Sequence, residues 1–158
     1  MVFAHRGVQT TANPPFAENS LLNVLNDEDY GVNGLEYDVR MTKDNVPICI
    51  HDPSVNTRLT KKEPLTGDWD QYSFDLISSY VRFIDGQKVP SVEQVLNAFI
   101  DSTHLTYMWM DLKGNKDIFK YLEPIVRKAT ARAAAQNRHV VIFAGLPSTD
   151  VIDELHRI

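Results

Sequence analysis

Residues 33–52 read NGLEYDVRMTKDNVPICIHD. Two apolar runs flank the polar turn Thr42–Asn45, and both carry acidic or imidazole groups near their ends. Side chains on a strand alternate faces, so Glu36 and Asp38 share one face, as do Cys49 and His51. The two runs read as the second and third strands of the chain.

Upstream, VFAH at 2–5 is a short apolar strand that runs straight into Arg6 and Gly7, with Phe3 and His5 on one face. A loop containing ANPP (12–15) leads to ENSLLNVLNDEDY (18–30). This is a helical pattern with Asn19 or Ser20 as cap and Leu21, Leu22, Val24 and Leu25 on its buried face. Downstream, residues 53–89 hold only a helical patch near DQYSFDLISSYV (70–81). A loop that long in a compact domain carries function or disorder.

Helical periodicity returns in PSVEQVLNAFI (90–100). Ser91 and Gln94 form a capping box there, and Val92, Val95, Leu96, Phe99 and Ile100 share one face. LTYMWMDLKG (105–114) is a fourth strand with Trp109, Asp111 and Lys113 on one face. Residues 115–137 are helical in composition, with Pro124 marking a kink or a new start. HVVIFAG (139–145) is a fifth strand, and Ser148 caps a last helix ending at Ile158. This alternation predicts an α/β fold built on a parallel sheet.

The 158 residues fit one domain with a real core. A net charge of −5 implies no broad basic surface for nucleic acid. Cys49 is the single cysteine, which excludes an internal disulfide and a thiolate metal cluster. Apolar runs stay far below the roughly 18 residues of a membrane helix. No signal-peptide pattern precedes the first strand, so the expectation is a soluble, cytoplasmic chain without a transmembrane segment.

In a parallel sheet the C-terminal strand ends lie at one edge, where open α/β sheets and barrels place their ligands. His5, Arg6, Glu36, Asp38, His51, Asp111 and Lys113 all finish strands. Singly each is weak, since a lone histidine after a strand is most often a surface or hydrogen-bonded residue. The signal is seven such groups on four strands. Glu36, Asp38 and Asp111 are hard oxygen donors suited to one divalent cation, Ca²⁺ or Mg²⁺. Two imidazoles can divide general-acid and general-base work. Arg6 and Lys113 only donate, which suits an anionic oxygen such as phosphate. The set describes phosphoester cleavage better than peptide or glycoside hydrolysis.

Five stretches, AHRG (4–7), 18–52, RLT (58–60), VPSVEQVL (89–96) and MDLKG (110–114), together resemble the glycerophosphodiester phosphodiesterase family. Its superfamily also holds phosphatidylinositol-specific phospholipase C. The resemblance runs from Val2 to Leu155 and implies a (β/α)8 TIM-type barrel with a divalent cation at its C-terminal face. It matches His5 and His51 to the general acid/base pair, Glu36 and Asp38 to metal ligands, and Arg6 and Lys113 to phosphate-contacting positions. Asp111 falls where the family carries a glutamate ligand. Glu18 matches a first-loop glutamate near the site, with Asn19 beside it as a loop organiser, and 53–89 matches a lid.

The implied reaction is metal-dependent hydrolysis of small glycerophosphodiesters to sn-glycerol 3-phosphate and an alcohol, with the substrate's 2-hydroxyl attacking phosphorus to give a cyclic phosphate that water opens. The alternatives are a phospholipase C- or D-type enzyme on lysophospholipid or phosphatidylglycerol, and a non-catalytic phospho-ligand binder. DLK at 111–113 also resembles the spider-toxin type of phospholipase D. Such barrels run to about 250 residues. The expectation is therefore a barrel cut short after five strand–helix units, whose open edge a second copy of the chain could cover. His104, His139 and His156 are expected to face solvent, Cys49 to pack inside, and Phe3 and Trp109 to pack beneath the site.

Overall fold

The computed structural model describes residues 1–7, 16–26, 30–62, 64–114 and 117–145. The ANPP loop, the helix expected after Ser148 and His156 lie outside them. Chain order is β1 (Phe3–His5), α1 (Leu21–Asn26), β2 (Gly34–Met41), β3 (Pro47–Cys49), β4 (Ser54–Val55), β5 (Gly67–Asp68), a 3-10 turn (Trp69–Gln71), α2 (Phe74–Tyr80), α3 (Val92–Ser102), β6 (Tyr107–Leu112), α4 (Ile118–Ala135) and β7 (Val141–Gly145).

The main sheet runs β1-β2-β6-β7 with every pair in that path parallel. The expected α/β parallel architecture is present as an arc of four strands with helices against one face. VPICIHD corrects the expected series of five parallel strands, because β3 pairs antiparallel with β2, Val39 opposite Cys49. The five residues between Met41 and Pro47 close a hairpin, whereas a parallel crossover needs about a dozen residues or more. Ile50 N–H still donates to the Asp38 carbonyl at 3.1 Å, so the chain doubles back beside β2 just before His51.

Alternation sorts the two sheet faces. Leu35, Tyr37, Val39, Met108, Met110 and Leu112 are buried under the helices. The opposite, concave face carries Phe3, His5, Glu36, Trp109 and Asp111. Trp109 there is 43 % exposed, which corrects the expectation of a buried core role. Phe3 sits edge-on to it at 6.1 Å, and Tyr107 stacks on Phe143 at 6.2 Å.

α3 forms as its sequence directs. Ser91 Oγ accepts from Gln94 N–H, the Gln94 side chain accepts from Ser91 N–H, and all five expected apolar residues are buried. α1 buries Asn23 and Val24, while Leu22 and Leu25 face solvent; residues 27–29 of the expected helix lie outside the described residues. Ser20 caps it weakly, at 3.4 Å to Asn23 N–H. α4 is one helix with Pro124 inside it, so of the two expected alternatives the proline does not mark a new start. The proline and Lys120, whose carbonyl loses its i+4 donor, both sit on the solvent side. Two basic residues of α4 make surface ion pairs with α3: Lys128 with Glu93 and Arg132 with Asp101.

The 53–89 stretch is built, not loose. Leu59, Trp69, Ile77, Val81, Phe83 and Val89 bury a second apolar cluster against Ala17, Ile48 and Ile50. Its β4–β5 ladder and α2 hang from that cluster.

Candidate active site

Sheet register lays out the site in two rows. His5 stands opposite Glu36, which stands opposite Trp109; one step further along, Asp38 stands opposite Asp111 and Asp111 opposite Gly145. Gly145 leaves room for the tryptophan, since a Cβ there would lie 2.6 Å from Trp109 Nε1. Single ligand atoms of Glu36, Asp38 and Asp111 lie within 4.8 Å of one another. His5 Nε2 is 3.8 Å from Glu36 Oε2, with 72 % of its side chain in solvent.

The chain turns sharply at the end of β1. Arg6 adopts φ 57° and Gly7 φ 81°, and a Cβ at Gly7 would strike Asn23 at 2.5 Å. The turn points the Arg6 amide at Glu36, whose Oε2 accepts it at 2.9 Å. Arg6 Nε lies 3.1 Å from Asp38 Oδ2, and its Nη1 donates to Glu18 Oε1 at 3.4 Å. Non-glycine residues held at positive φ cluster at functional sites. Asn19, at φ 59°, is a second case. Its Nδ2 donates to Asp38 Oδ2 at 3.0 Å and its Oδ1 accepts from Asp38 N–H at 2.9 Å, so it clasps Asp38 from both sides.

Burial outweighs the Arg6 amide and raises the Glu36 carboxyl above its ordinary range. Lys113 Nζ bridges Asp38 Oδ1 at 3.2 Å and Asp111 Oδ2 at 2.5 Å. Burial works against its charge, but the two carboxylates outweigh burial and raise its pKa.

Asp38 is 1 % exposed, and its Oδ1 accepts no hydrogen bond, the lysine being close but poorly aligned. A buried carboxylate oxygen without a donor is costly unless a cation completes it. Three carboxylates around that oxygen fit one oxygen-seeking divalent cation. Glu36, Asp38 and Asp111 are the residues that would hold it.

His51 joins through a chain of charges. Its Nδ1 is 2.8 Å from Asp52 Oδ1, and its carbonyl accepts from Arg40 Nε at 2.7 Å. Arg58 donates to Asp52 at 2.9 and 2.6 Å and to both Glu18 oxygens at 3.0 Å. Hydrogen bonds from Arg58, then from His51 and Asn56, hold the Asp52 carboxyl well below its usual range. Asp52 and Arg58 received no role from the sequence, although HD and RLT were both legible in it. Their acidic and basic types at turn positions were the available signal.

Residues 5–143 match the profile of the glycerophosphoryl diester phosphodiesterase family, which spans most of the chain. The chain belongs to that family. Among curated proteins it is similar to the uncharacterized protein YqiK of Bacillus subtilis, 27 % identical over 146 residues, covering 89 % of this chain and 56 % of that one. It is also similar to a glycerophosphodiester phosphodiesterase of Caldanaerobacter subterraneus, 25 % identical with the same coverages.

Among solved structures, a glycerophosphodiester phosphodiesterase from Parabacteroides distasonis superposes with a TM-score of 0.74 at 22 % identity, covering 99 % of this chain and 60 % of that one. A phosphodiesterase from Oleispira antarctica, solved with the product sn-glycerol-3-phosphate, gives 0.67 at 17 % identity, covering 90 % and 56 %. These likenesses establish the fold. This glycerophosphoryl diester phosphodiesterase family member spans 56 % of the length of the curated relatives it matches. Among its described residues, no helix is long and apolar enough to cross a membrane.

Proposed function

We propose that the chain hydrolyses glycerophosphodiesters to sn-glycerol 3-phosphate and an alcohol, with a divalent cation, Ca²⁺ or Mg²⁺, held by Glu36, Asp38 and Asp111. The observation that supports this reading is the convergence of those three carboxylates with His5, Arg6 and Lys113 at one sheet edge. The bound cation supplies positive charge against the negative charge that grows on the phosphoryl oxygens. Arg6 and Lys113 orient the phosphate from either side of Asp38, each with N–H groups to spare. Of His5 and His51, one in its neutral form takes the proton from the attacking hydroxyl, and the other as imidazolium returns one to the leaving alkoxide. The P–O bond to the alcohol breaks as the bond to the substrate's 2-oxygen forms, giving a cyclic phosphate. Water then opens the ring, the P–O bond to the 2-oxygen breaks, and the two histidines exchange roles to leave glycerol 3-phosphate. Residues 53–89 act as a lid, a role supported by the reach of Arg58 to Glu18 and Asp52.

A cleft of about 500 Å³ beside the carboxylates is lined by Phe3, His5, Glu36, Trp109, Asp111 and Gly145. Its two aromatic rings favour lysophospholipid as a second substrate class. The deciding experiment measures glycerol 3-phosphate released from glycerophosphocholine and glycerophosphoethanolamine, and choline released from lysophosphatidylcholine. Ca²⁺, Mg²⁺ and chelator are compared, with His5→Ala and Glu36→Ala alongside. Metal-dependent release abolished by both substitutions supports the hydrolase. A folded, metal-binding chain without turnover overturns it and favours the phospho-ligand binder.

A further inference from the structure

Arg58 stands half-exposed in the turn after β4, yet it spends four of the five N–H groups a guanidinium offers on two carboxylates. Its Nε and Nη2 edge grips Asp52, and its Nη1 and Nη2 edge grips Glu18. Asn56 sets the turn that aims it: Asn56 Oδ1 accepts from Arg58 N–H at 3.1 Å and from Leu59 N–H at 3.3 Å, while its Nδ2 donates to Asp52 Oδ2 at 2.7 Å. Leu59, buried in the second apolar cluster, anchors the same turn. An ordinary surface ion pair is worth little because both side chains stay free to move. Here the fork is fixed at both ends, and Glu18 is in turn tied to Arg6.

The consequence falls on His51. An ionised carboxylate only accepts hydrogen bonds, so the contact between Asp52 Oδ1 and His51 Nδ1 requires the proton on Nδ1. In the neutral ring, Nε2 then carries the lone pair. We propose that Arg58 is a positioning residue for His51: its guanidinium clamps Asp52 so that the imidazole offers Nε2 to the substrate. This deepens the hydrolase reading, on which its catalytic part rests. Arg58 touches no reacting atom and acts through Asp52. Arg40, at the His51 carbonyl, is the other cation packed against this loop.

The test is the tautomer of His51, read by long-range proton–nitrogen NMR on histidine-labelled chain, assigned with His51→Ala. It is run with chelator and again with Mg²⁺. The unaltered chain is expected to show Nδ1–H at His51. Arg58→Gln is expected to move the ring towards Nε2–H and to lower kcat roughly 10- to 100-fold with KM little changed, the range for partners that orient a site residue. Arg58→Lys keeps the charge without the fork and is expected to fall between the two.

An Nε2–H ring in the unaltered chain overturns the proposal whether or not any variant folds. So does a folded Arg58→Gln chain that keeps Nδ1–H, or an Arg58→Lys chain that behaves as the parent. A merely structural tie between the lid segment and the barrel would lower thermal stability and leave the tautomer alone. The NMR reading uses no substrate, so it stands or falls apart from the hydrolase activity.

Discussion

The ammonium of Lys113 stands 3.2 Å from Asp38 Oδ1, the buried carboxylate oxygen that no hydrogen bond reaches. The same nitrogen is 2.5 Å from Asp111, so one ammonium is shared between two of the three carboxylates suited to a cation. A lysine and a divalent cation would therefore compete for the same charge, while in the proposed hydrolysis both would serve the phosphate.

That competition sets the first prediction. Lys113→Gln removes a positive charge beside the cation, so affinity for Mg²⁺ or Ca²⁺ should rise, by roughly tenfold at a partly solvated site. Turnover should fall by about 10²- to 10³-fold, because a donor to the phosphate is lost. Calorimetric metal titration beside an initial-rate assay reads both. Weaker metal binding in the variant would show that the lysine supports the cation instead of opposing it.

Asp38 and Asp111 should separate structure from chemistry. Asp38 is 1 % exposed between Arg6, Lys113 and Asn19, whereas the Asp111 side chain is 37 % exposed. Asp38→Asn takes a buried partner from Arg6 and Lys113, which keep Glu18 and Asp111, and should cost about 1–3 kcal/mol of stability. Asp111→Asn should cost under about 1 kcal/mol, while weakening the metal as much. Urea denaturation without metal distinguishes them, and equal losses would contradict the burial argument.

Much of this was readable in the sequence, and the misses have physical causes. Alternation placed Glu36 and Asp38 on one face, and the capping box at Ser91 fixed where α3 begins, because both are local rules. Strand direction at β3 was also legible, since Thr42–Asn45 is too short for a crossover. The apolar run of β3 resembles a buried parallel strand, and the short turn before it carries the deciding signal. Leu22 and Leu25 defeated the helical pattern because Asn23, bonded to the Ala17 carbonyl, takes the inward position. Trp109 is exposed because it lines the open cleft beside the carboxylates, on the sheet face away from the helices. The Arg58 clasp joins residues 40 positions apart and follows from no spacing rule.

Acid should loosen that clasp with a defined sign. The folded-state pKa of Asp52 lies below its unfolded value of about 3.9. Its contribution is therefore fully present above that value and is lost as pH falls through the folded pKa. The difference in urea midpoint between the parent and Asp52→Asn should be largest near neutrality and should shrink by about pH 3. A difference that grows towards acid would mean that Asp52 is not ionised in the folded chain.

Asn19 offers two separable contributions. At φ 59° its backbone suits glycine or asparagine, and its amide makes both hydrogen bonds to Asp38. Asn19→Gly keeps the backbone and loses the bonds; Asn19→Ala loses the bonds and adds left-handed strain of roughly 1 kcal/mol. Loss of the clasp itself should cost about 1–3 kcal/mol in both, because Asp38 stays buried with one oxygen less satisfied. Denaturation should thus rank parent above Asn19→Gly above Asn19→Ala. Metal affinity should fall in both variants alike, since the cation feels Asp38 and not the strain. If the alanine chain bound metal far more weakly than the glycine chain, the backbone of this loop, beyond the amide, would be setting the geometry of the carboxylates.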